Sequence, residues 1–243
     1  MTARLVHAEL LKLRTTRTFL ALVGSAAALG LLVAALTGSL IRDPTGDDLR
    51  NLVAADTSAL FILVLGIVGA AGEWRHRTIA GTLLATPDRR AVVAAKALAY
   101  AAAGVLLSLA VTIVVTVVAM VILSGRGEPT IAVADFVDVL WRNLVRAAYY
   151  GAIGAALGTL VRNQPTAIVG VLVVLFIVEP TLGALAPKVE RFGPISGAPS
   201  GLLGSDSRGD DVLAPGPALL VMLGWAGLLG AAAAESLARR DVT

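Results

Sequence analysis

Residues 19–41 form a run of 23 without one charged side chain, and residues 97–124 form a second of 28. A helix advances only ~1.5 Å per residue, so crossing a hydrocarbon core takes about 20 mostly apolar residues. In lipid each backbone N–H and C=O must be satisfied within its own segment, so runs of this length specify membrane-spanning helices. Four further segments reach or approach that length: 52–72, 144–161, 166–187 and 214–234. The expected fold is an all-α membrane protein with six transmembrane helices, residues 1–243 forming one transmembrane domain. Of the 243 residues 57% are apolar and only 15% charged, where soluble domains carry about 25% charge.

The polar residues between these runs set the orientation. Twelve Lys and Arg fall on the side that carries both termini, against six on the other, where eight carboxylates accompany them. The positive-inside bias therefore places both termini in the cytoplasm. The 23-residue run is too long for the core of a cleaved signal peptide, so a retained first helix is expected. With no cysteine, the chain has neither a disulfide framework nor thiolate chemistry. A scattered net charge of +3 argues against a nucleic-acid partner.

Two segments on the terminal side have more structure than a solvated flank needs. In residues 1–18, Val6, Leu10 and Leu13 recur at i, i+4 and i+7, which predicts an amphipathic helix in the membrane interface; Glu9 and Leu11 interrupt the stripe. In the loop 73–96, Thr78 to Ala85 make about two helical turns before the stop signal Thr86-Pro87. Its five basic residues and apolar Ile79, Leu83 and Leu84 suit a docking element for a cytoplasmic partner.

Within the spans the charges are few. Arg146 and Glu179 lie at matching depths, ~24 and ~21 Å from the inner edges of their helices by the helical rise. A pair between them is expected, with Pro180 breaking helix five. Gly151, Gly154 and Gly158, and likewise Ala26, Gly30 and Ala34, recur at helical spacing and are expected to pack helices closely. No G-x-x-x-x-G-K-[ST], H-E-x-x-H or G-x-S-x-G motif occurs, so the chain has no recognisable catalytic site.

The segments His7-Ala-Glu-Leu-Leu-Lys-Leu-Arg-Thr-Thr-Arg17 and Glu73-Trp-Arg-His-Arg-Thr-Ile-Ala-Gly-Thr-Leu-Leu-Ala-Thr-Pro-Asp-Arg-Arg90, with Lys96, resemble those of permease subunits of bacterial type 2 ABC exporters. The layout resembles them too, with an elbow helix, six spans, and Glu179-Pro180 before an outer Gly/Pro-rich loop at 188–213. The resemblance implies a bacterial cell-membrane location and a translocation path formed with a second permease chain, identical or paralogous. It also implies a separate ABC ATPase that binds ATP and Mg, leaving this chain without a cofactor. The loop after span two would be a cytoplasmic coupling helix, with Glu73, Arg75, Arg77, Thr78, Gly81, Thr82, Pro87, Arg89 and Arg90 carrying the ATPase contact. The alternative is a stand-alone ion- or proton-coupled carrier with Glu179 as its titrating group.

Overall fold

The structure is a computed structural model that describes residues 2–86, 88–204 and 212–239. Its helices are α1 (Thr2–Thr15), α2 (Arg17–Leu40), α3 (Gly46–Ala54), α4 (Ser58–Arg75), α5 (Ile79–Ala85), α6 (Arg89–Gly125) and α7 (Val133–Val161). There follow α8 (Gln164–Val173), α9 (Glu179–Leu185), α10 (Pro187–Glu190), α11 (Gly197–Leu203) and α12 (Pro215–Ala238). Among the described residues there is no strand, and six segments are long and apolar enough to cross a membrane. The six-span architecture expected from the sequence is therefore present.

The boundaries move where polar residues are satisfied inside the protein. Span two is preceded by the separate helix α3, which Thr45 and Asp48 start with a reciprocal capping box. The third span, α6, begins at Arg89, where the Asp88 carboxylate accepts from the backbone N–H groups of Arg90 and Ala91. Its 37 residues reach about 55 Å, so its charged first turns stand outside a ~30 Å hydrocarbon core. α7 starts about three turns before residue 144. Its Asp135 and Asp138 pair with Arg50 at 2.5 and 2.6 Å, and Arg142 pairs with Asp138 at 3.0 Å.

Helix five also differs from expectation, because Pro180 does not break it. Residues Val174–Val178 form one π-helical turn, and the Glu179 N–H reaches back to the Val174 carbonyl. Proline lacks an N–H and crowds the preceding turn, and the widened turn absorbs that misfit so that the helix continues to Leu185.

The expected Arg146–Glu179 pair does not form. Arg146 donates to the Ala54 and Asp56 carbonyls and to Asn143 Oδ1, at 3.2, 3.4 and 3.2 Å. The fully buried Asn143 donates to Val53 O at 2.9 Å. The two side chains thereby satisfy carbonyls that α3 leaves open at its C-terminus, where a cation is also favoured. Glu179 turns instead to the outer loop, accepting from Ile195 N at 2.8 Å, Ser196 N at 2.6 Å and Ser196 Oγ. The two side chains face different elements.

α7 is the centre of the bundle because its small residues admit close neighbours. A Cβ on Gly151 would lie 2.2 Å from Tyr100 O, one on Gly154 2.4 Å from Leu63 O, and one on Gly158 2.6 Å from Ile67 O. The glycine spacing thus serves packing against α4 and α6, as expected. The face of Ala26, Gly30 and Ala34 packs α2 on α6 in the same way, with both alanines fully buried. Gly151→Val is expected to destabilise the detergent-solubilised protein by at least ~1–3 kcal/mol. Gly224→Ala, where nothing lies within 4 Å, is expected to be neutral or mildly stabilising. Thermal unfolding of the two variants checks both outcomes.

Candidate functional site

The terminal-side face is assembled from α1, the α4–α6 connection, the start of α8 and the end of α12. The last turn of α4 ends in a Schellman arrangement: Thr78 N donates to Glu73 O at 3.0 Å and Arg77 N to Trp74 O at 3.3 Å. Arg77 occupies the left-handed position with φ 57°, where glycine is usual, and its side chain is exposed. This turn directs the chain into α5. Ile79 is buried, and Leu83 packs against the cluster of Val93, Ala156, Ala233 and Leu237. On the other side of the short helix Leu84 is 85% exposed and Gly81 borders open space.

Behind this turn is a buried charge cluster. Lys96, with its side chain 3% exposed, donates to Glu9 Oε2 at 2.9 Å and forms an ion pair with Glu73 Oε1 at 2.7 Å. Lys12 bridges the same two carboxylates at 2.7 and 2.8 Å. The four residues link α1, α4 and α6. Burial by itself pushes the Glu9 carboxyl up, but Lys96 and Lys12 outweigh it and hold the group below its ordinary value. Burial likewise pushes Lys12 down, and its bonds to Glu73 and Glu9 reverse the sign, leaving it raised.

A second set of contacts ties the loop to the opposite side. The Arg162 guanidinium stacks 4.2 Å above the Trp74 ring and donates to Ser236 O at 2.7 Å. Arg89 donates to the carbonyls of Leu237 and Ala238, closing the C-terminus of α12. Gln164 donates to Val68 O at 2.8 Å and accepts from Arg75 at 3.3 Å.

The docking residues proposed from the sequence therefore divide. Arg75, Arg77, Thr78, Gly81 and Arg90 are exposed, and Thr82 is half-buried. Glu73 faces inward within the charge cluster, and Arg89 is engaged by α12, so both tie the loop to the bundle. Pro87 lies outside the described residues. The sequence reading missed the cluster itself. Glu9 broke the apolar stripe of α1 because it points at Lys96, and a carboxylate on the inner side of an amphipathic stripe was the available signal.

The arrangement defines a multi-pass helical membrane protein with a braced surface element beside its chain ends. A family model described as ABC-2 family transporter protein matches residues 34–213, well over half of the chain. The chain belongs to that family and is the membrane permease component of an ABC-type transporter. No curated protein matches it.

The cluster carries a pH signature. Glu9, with its lowered pKa, contributes stability above the ordinary carboxyl value of 4.5 that is lost as pH falls through the lower folded value. Lys12, with its raised pKa, contributes stability below 10.5 that is lost as pH rises through the higher folded value. In melting curves, the stability gap between wild type and Glu9→Gln is expected to persist near neutral pH and close below pH 4.5. A gap that widens in acid would contradict the assignment. Lys96→Met, which leaves the two buried carboxylates sharing only the half-exposed Lys12 ammonium, is expected to cost roughly 3–5 kcal/mol.

Proposed function

We propose that this chain is the translocating subunit of an ATP-driven exporter in a bacterial cell membrane, with both termini cytoplasmic. Two such chains, identical or paralogous, enclose the path, and each seats α5 in a cleft of a separate ABC ATPase. ATP and Mg are bound by that ATPase, and this chain performs no catalysis. The observation that carries the reading is the two-sided character of α5. Its inner side is fixed by Ile79 and the cluster behind Glu73, while Leu84 is 85% exposed and the exposed Arg75, Arg77 and Arg90 flank the helix.

An ATPase can drive the membrane domain only through contacts that differ between its nucleotide states. A short helix packed on α6 and joined by its entry turn to Glu73 of α4, which the charge cluster ties to α1, passes such a difference to three elements of the bundle together. Arginine suits the contact because its planar fork hydrogen-bonds well to acidic surfaces. The carrier alternative requires Glu179 to titrate during transport, whereas its carboxylate holds the outer loop through three hydrogen bonds. That commitment favours the ATP-driven reading.

Affinity purification of the tagged chain from its own host in mild detergent tests it. Wild type is expected to bring an ABC ATPase with it, and Leu84→Asp/Arg90→Glu to insert normally and lose that ATPase. An ATPase retained by the double variant would place docking elsewhere, and wild type purifying alone would remove the ATPase from the reading.

A further inference from the structure

Between α7, α8 and α12 lies a cavity of about 400 Å³, far from the docking surface of α5. Leu157 and Val161 of α7, Gly170 of α8, Val174 just after it, and Trp225 and Leu229 of α12 form its walls. The outer loop at Pro194 and Ile195 closes one end. The other end lies at Val161 and Thr166, on either side of the turn that joins α7 to α8, so from Thr166 to Val174 the cavity runs ~12 Å along the span. Glycine weakens a helix interior, and no atom lies within 4 Å of a Cβ built on Gly170, so helix packing does not account for this one. It leaves the wall of the cavity without a side chain.

The polar atoms around this space are already engaged. The Tyr149 and Tyr150 hydroxyls donate to Pro194 O and Ile195 O, and Ile195 N donates to Glu179 Oε1 at 2.8 Å. Trp225 Nε1 donates to Phe192 O at 2.8 Å, and the Thr166 hydroxyl to Asn163 Oδ1 at 3.0 Å. A polar occupant would lose its hydration without gaining partners, and a buried water needs several of them, so the space favours hydrocarbon. An apolar cavity of ~150 Å³ stays dry and takes up benzene, so about 400 Å³ accommodates a chain of roughly a dozen carbons. We propose that the cavity holds one acyl chain of a membrane phospholipid that enters from the terminal-side leaflet. The chain lies along Leu157 and Trp225, and the headgroup stays outside at the α7–α8 turn. Arg162 in that turn is committed to the Trp74 ring and to Ser236 O, so the site selects the chain and not the headgroup. The inference requires only that the protein spans a membrane and is independent of the ATPase.

Photolabelling of the full chain in vesicles tests this, with phosphatidylcholine or phosphatidylglycerol carrying a diazirine midway along one acyl chain and adducts located by peptide mass spectrometry. Leu220, 71% exposed on α12, meets surrounding lipid in any case and serves as the internal standard. Wild type is expected to carry adducts at the half-buried Leu157 as well as at Leu220, with either headgroup. Gly170→Phe, which places a ring at the cavity wall, is expected to lose the Leu157 adduct and keep that at Leu220. Labelling of Leu220 without Leu157 in wild type, the outcome if a second copy of the chain fills the cavity, would overturn the proposal. So would Leu157 labelling that is undiminished in Gly170→Phe or confined to one headgroup. Should Gly170→Phe fail to insert, the comparison of Leu157 with Leu220 in wild type decides alone.

Discussion

Lys96 lies between two carboxylates that come from different elements, and the terminal-side surface depends on that arrangement. Glu9 belongs to α1, which precedes the first span, and Glu73 to the end of the second span. A buried ion pair adds little net stability, because desolvation offsets most of the attraction, but breaking it leaves a buried charge that is strongly unfavourable. The consequence is positional. α1 can dock on α4 and α6 in only the register that returns Glu9 to Lys96. Glu73 also supplies the carbonyl that closes the turn into α5, so one residue relates the cluster to the exposed helix.

The opposite end follows the same rule with different residues. Glu179 holds the loop at Ile195 and Ser196, and the Tyr149 and Tyr150 hydroxyls donate to the neighbouring carbonyls of Pro194 and Ile195. Asn143 and Arg146 close the end of α3. Each of these buried polar side chains satisfies backbone groups of a segment that interrupts a long helix, as a low-dielectric surrounding requires. Irregular backbone in the membrane domain thereby gains partners for the carbonyls of Val53, Ala54, Asp56, Pro194 and Ile195.

Apolar run length made the number and order of spans legible, since the bilayer imposes that length directly. The helix at Ile79–Ala85 was legible from its Thr-Pro stop, and the packing face of α7 from glycine spacing. The start of α7 at Val133 was not, because the apolar stretch stops at residue 144, next to Asn143 and Arg142, while the helix continues back through charges paired across elements. The continuation through Pro180 depends on a π turn that no residue pattern announces. The placement of Arg146 and Glu179 failed for a related reason. Depth along a helix can be counted from sequence, whereas the direction a side chain takes around the helix depends on neighbours known only from the fold.

The central claim is that the outward side of α5 is where an ATPase seats. The chain contains no cysteine, so one introduced thiol reports a single position. Leu84→Cys and, on the buried side, Ile79→Cys, each cross-linked in native membranes with a short bifunctional thiol-to-amine reagent, test it most directly. The expected result is an adduct of permease plus ABC ATPase from Leu84→Cys, altered in yield by ATP, and none from Ile79→Cys. An ATPase adduct of equal yield from both positions, or no adduct from Leu84→Cys in membranes that contain the ATPase, would contradict it.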